Sequence, residues 1–108
     1  MIRLKTGVRV LGLRPELLLG IMVVNSVYEE LNEDLEITCM IEGIHSVASL
    51  HYAGQGVDLG VHKIPPANRV IILNKAKTAL GEDFDLIHES IGLPNEHFHL
   101  EYQPKRSY

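Results

Sequence analysis

The six residues His97-Phe98-His99-Leu100-Glu101-Tyr102 alternate between polar and apolar side chains. In an extended chain successive side chains point to opposite faces. His97, His99 and Glu101 therefore share one face of a strand, and Phe98 and Leu100 share the other. A strand of this kind is the wall of a cleft: one side must be covered by a core, and the other carries polar groups. The rest of the chain has to supply neighbouring strands and an apolar layer over Phe98 and Leu100.

That layer is legible upstream. Leu17, Ile21, Val24, Tyr28 and Leu31 recur at spacings of four and three, which is one face of a helix. Pro15 suits its first turn, where the missing N–H costs nothing, and residues 32–34 end it. Leu18, Met22 and Val23 widen the apolar stripe, so the helix is expected to pack on a sheet. The stretch Leu-Glu-Ile-Thr-Cys-Met-Ile-Glu-Gly is β-rich and stops at Gly43. Residues 44–55 read as a loop and residues 56–61 as a short strand. A second helix opens at Pro65 and Pro66 and closes at Gly81. Residues 83–89 and 97–102 form two more strands with a turn between them. The order α-β-β-α-β-β predicts a single α+β domain over residues 1–108, with two main helices and a small antiparallel sheet.

Composition narrows the functions. The 108 residues suffice for one modest core. A formal net charge of −4 argues against nucleic-acid binding, which needs a basic face. The apolar run from Leu17 to Val24 is far shorter than a membrane span, and no cleavage pattern follows it. The expectation is a chain without membrane span or signal peptide, cytoplasmic at synthesis and reaching any outside target after lysis or by another export route. Its oligomeric state is not legible in the sequence. The one cysteine, Cys39, excludes an internal disulfide and reads as a small buried hydrophobe.

Six histidines are many for this length. His62 and His88 read as ordinary surface histidines. His51 and Asp58 flank a glycine-spaced turn and can offer an imidazole and a carboxylate. A second imidazole from residues 97–102 would complete a three-ligand zinc site with one position for water. Such a site also needs a carboxylate base. Glu96 and Glu89 are the two candidates.

The stretch Ser49-Leu-His51-Tyr-Ala-Gly-Gln-Gly56-Val-Asp58 resembles the S-x-H-x-x-G-x-A-x-D signature of the D-Ala-D-Ala carboxypeptidase and L-alanyl-D-glutamate endopeptidase group of zinc peptidases. Glu96-His-Phe-His99-Leu-Glu-Tyr resembles the closing E-x-x-H-x-E motif of that group. Residues 84–89, Phe-Asp-Leu-Ile-His-Glu, are similar to the motif that precedes a paired-histidine strand in its small phage-like members. The resemblance spans residues 15–104 and implies the hedgehog/D-Ala-D-Ala peptidase fold. It also implies a hydrolase of the cell wall, as in bacteriophage endolysins. By this resemblance the zinc ligands are His51, Asp58 and His99, and the base is Glu96. Ser49, His45 and His97 would contact substrate or support the ligands, and the substrate would be a peptidoglycan stem peptide. A non-catalytic zinc-containing domain of the same fold, binding cell wall or serving as a phage structural part, is the alternative.

Three departures stand out. Gly56 replaces alanine, a small change on the packing face. The arginine that often precedes S-x-H is missing, and His45 stands in that region. Residues 90–96 are an insertion, so register selects Glu89 as base whereas E-x-x-H spacing selects Glu96.

Overall fold

The computed structural model describes residues 1–8, 13–41 and 56–104. They form a two-layer α+β fold. Strand β1 (Ile2–Leu4) precedes helix α1 (Pro15–Glu30) and strand β2 (Leu35–Ile41). Strand β3 (Gly56–Gly60), helix α2 (Pro66–Leu80) and the hairpin of β4 (Phe84–Glu89) and β5 (His97–Tyr102) follow. The five strands lie in the order β1-β2-β3-β5-β4. Three of the four pairings are antiparallel, as expected, but β1 runs parallel to β2, so the sheet is mixed. Strand β1 is three exposed residues, too short to carry a period that a sequence pattern could reveal.

Helix α1 starts at Pro15 after an extended Arg14 and ends where Asn32 turns into the left-handed region (φ 57°). The amides of Leu31, Asn32 and Glu33 close on the carbonyls of Tyr28 and Glu29, satisfying the last turn. Leu17, Ile21, Val24 and Tyr28 are fully buried, as their spacing requires. Leu18 and Met22 are not part of that face. They are exposed, because a helix laid on one sheet buries only a single stripe.

The core is one cluster between the helices and one sheet face. It joins Leu17, Ile21, Val24 and Tyr28 of α1 and Ile72 and Ala76 of α2 to Ile37, Val57, Leu59, Leu86, Phe98 and Leu100 of the strands. Each such side chain contributes about 1.5–3 kcal/mol on leaving water. Gly20 lets α1 approach β4: a Cβ there would lie 2.5 Å from the Phe84 ring.

The opposite sheet face is open. Asp58, His97, His99 and Glu101 are only partly buried on it. Cys39 also lies here, exposed rather than in the core. A bulge between Ile37 and Cys39 shifts the alternation of β2, so Cys39 pairs with Asp58 on the polar side while Met40 returns to the core.

Candidate metal centre

Sheet register places the site. Strand β3 is central, and its alternation buries Val57 and Leu59 while turning Gly56, Asp58 and Gly60 to the open face. Asp58 pairs directly with His99 of β5, and Glu89 of β4 pairs directly with His97. Partners opposite one another in an antiparallel pair project to the same side. Asp58, His97, His99, Glu101 and Glu89 thus come together from three strands.

The contacts are short. His99 Nδ1 lies 2.8 Å from Asp58 Oδ1, and its Nε2 lies 3.4 Å from Glu101 Oε1. Gln103 caps the far oxygen of Glu101. Both ring nitrogens of His99 thus face carboxylates. Burial pushes its pKa down, but the hydrogen bonds and negative charge of Asp58 and Glu101 outweigh this, so it titrates above its ordinary range. His97 donates its Nδ1 proton to the carbonyl of Asn95 at 2.7 Å, since a carbonyl only accepts. Its Nε2 then faces Asp58 Oδ1 at 3.6 Å and Glu89 Oε1 at 3.4 Å.

Gly56 is part of this geometry. It lies on the open face, not on the packing face. A Cβ at this position would stand 2.8 Å from His99 Cε1 and 3.0 Å from its Nε2. The bare backbone is the floor on which the imidazole rests.

Of the expected zinc ligands, Asp58 and His99 meet. His51, Ser49 and His45 lie outside the described residues. Among the described residues no group of three His, Cys, Asp or Glu side chains is arranged to hold a metal ion.

Glu96 goes elsewhere. Glu96 stands one residue before β5, outside the strand, and its side chain is buried while that of His99 lies on the open face. The Glu96 carboxylate is buried and accepts from Gly92 N–H at 3.0 Å, His88 Nε2 at 2.7 Å and Arg69 Nη1 at 3.0 Å. The Gly92 amide is the largest influence that lowers its pKa. With His88 and Arg69 it outweighs burial and brings the pKa to about 2. His88 is therefore no surface histidine: its ring also packs edge-on against Phe98, with centroids 4.9 Å apart. Neither Arg69 nor Gly92 carried any sequence signal, because Arg69 is 27 residues from its partner in the chain.

A cleft of about 560 Å³ opens beside the cluster. Asp58, His97, Glu96, Lys5, Glu36 and Lys63 are among the residues that line it. Comparison of the chain with known protein families, with curated proteins and with solved structures finds no match. Among the described residues no helix is long and apolar enough to cross a membrane.

Proposed function

We propose that the chain is a zinc-dependent peptidase that hydrolyses a peptide bond in peptidoglycan stem peptides, of the D-Ala-D-Ala carboxypeptidase and L-alanyl-D-glutamate endopeptidase kind. The observation that carries this reading is the pairing of Asp58 with His99 on the open face of the sheet, 2.8 Å apart and beside a cleft. Two residues 41 apart in the chain, each from a separate motif, supply the carboxylate and the imidazole that zinc takes. The floor at Gly56 leaves room for the ring. His51 is the third ligand in this reading.

Zinc, when bound, polarises the scissile carbonyl and lowers the pKa of a water toward neutrality. The chain's own groups do the rest. Glu89 accepts the proton of the attacking water and returns it to the leaving amine. It is favoured over Glu96 because it is half-exposed, shares the face of Asp58 and His99, and touches only His97 among the contacts described above. Glu96 already has three donors and a pKa near 2, which leaves little basicity at neutral pH. His97 is held by Asn95 through Nδ1–H, and in its imidazolium form its Nε2–H orients the Glu89 carboxylate. Lys5 and Lys63 in the cleft give a substrate carboxylate cationic partners where the expected arginine is missing.

The test is digestion of purified peptidoglycan with the new amino termini mapped, alongside metal analysis. About one zinc per chain is expected. Asp58→Ala loses metal and turnover. Glu89→Gln keeps metal and loses turnover by about 10²–10⁴-fold. A protein that takes up no zinc and gains no stability from it ends the proposal. Zinc uptake without cleavage points to the non-catalytic wall-binding or structural domain of the same fold.

A further inference from the structure

Outside the candidate metal centre, the Glu96 carboxylate accepts from three donors. Its side chain is 6% exposed, and Arg69 and His88 are 14% and 10% exposed. Its partners come from three places: Arg69 on α2, His88 at the end of β4, and the Gly92 amide in the turn between β4 and β5. Arg69 reaches further and donates its Nε to the carbonyl of Ile64 at 2.8 Å.

The turn itself is bonded at nearly every step. Leu93 N–H donates to Ser90, and Glu96 N–H donates to Leu93, each at 3.0 Å. His62 holds the Pro94 carbonyl at 2.7 Å, and His97 holds that of Asn95. Ser90 and Gly92 both occupy the left-handed region, at φ 56° and 82°. This turn joins Glu89 directly to His97, the pair that faces across the hairpin on the open side.

We infer that Glu96 is a positioning residue: with Arg69 and His88 it clasps the β4–β5 turn to α2, and so holds Glu89 against His97 and fixes the cleft wall at Pro94 and Asn95. A buried carboxylate suits this task. Its bonds are directional and charge-assisted, and each lost partner leaves a charge without compensation, so the clasp resists loosening. The same three bonds that disqualify Glu96 as a base make it the anchor of the hairpin that carries one. The role in catalysis rests on the peptidase reading. The clasp itself does not.

Three removals test it, Glu96→Gln, Arg69→Gln and His88→Gln; a fourth variant, Arg69→Lys, is a milder form that keeps charge and loses the two-armed reach. In the metal-free protein, amide hydrogen exchange at Leu93 and Glu96 is expected to quicken by about tenfold or more in each variant. The ring nitrogen signals of His97 are expected to move in all of them. With peptidoglycan, kcat is expected to fall by about tenfold in all three, with the pH profile unmoved and zinc content unchanged. The exchange and ring signals are read without substrate, so they decide the clasp even where no bond is cut. Exchange and His97 signals identical to the parent protein would overturn it. So would a loss of about 10³-fold or more confined to Glu96→Gln, which would put Glu96 at the reacting atoms.

Discussion

A single missing methyl group shapes the candidate centre. At position 56 an alanine Cβ would stand within 3.0 Å of two atoms of the His99 ring and 3.3 Å from the Leu100 carbonyl. The backbone cannot move without disturbing the central strand, so the ring must move. Gly56→Ala is therefore expected to turn His99 away from Asp58 and, if the proposed zinc site holds, to weaken zinc binding by about 10–100-fold, the range seen when ligand-orienting groups are altered. Competition against a chromophoric chelator measures this, and an unchanged affinity would remove Gly56 from the site. The sequence signalled Gly56 only as a departure from a motif. Its conflict with His99, 43 positions away, depends on the register of β3 against β5, which no local pattern encodes. Asp58 and His99 were legible because their motifs are dense and ordered. The E-x-x-H spacing selects Glu96 as base, whereas in the fold Glu96 precedes β5 and is bound by Arg69, His88 and Gly92, which favours Glu89 in the proposed reading.

Among the elements, the hairpin of β4 and β5 pairs along its full length, and helix α1 packs closely against it. The alternation of β5 read correctly because each of its faces meets a uniform environment. The bulge in β2 broke the same rule and turned Cys39 outward, an event governed by pairing with β3. Helix α1 lies so close to β4 that Gly20 has no room for a side chain. Glycine within a helix costs about 1 kcal/mol relative to alanine, so on propensity Gly20→Ala would stabilise. Crowding a packed contact costs about 1–3 kcal/mol, and Phe84 is held against Tyr102 with ring centroids 5.2 Å apart. The net expectation is a loss of up to about 2 kcal/mol in urea unfolding. A gain in stability would show that α1 can shift on the sheet.

For the whole molecule, pH links the Glu96 clasp to stability. Its carboxyl has an ordinary pKa of 4.5 when free and about 2 in the fold. A lowered folded pKa means that the unfolded chain binds more protons between those values. The contribution is fully present above about pH 4.5 and is lost as pH falls toward 2. Unfolding midpoints measured across this range should fall with acid in the parent protein and more shallowly in Glu96→Gln. Equal slopes would mean that other carboxylates govern the acid limit.

By itself the sequence determined the helices, the four longer strands, the apolar faces and the two motifs that hold Asp58 and His99. These follow from periodicity and local backbone preference, which act over a few residues. Only the tertiary structure decided that β1 joins the sheet in parallel, that Cys39 faces outward, that Gly56 is the floor beneath His99, and that Glu96 is bound by Arg69 and His88. Each of these depends on which strands pair and in what register. Register is set by the burial of a whole sheet face at once, so it belongs to the assembled core and to no single stretch of chain.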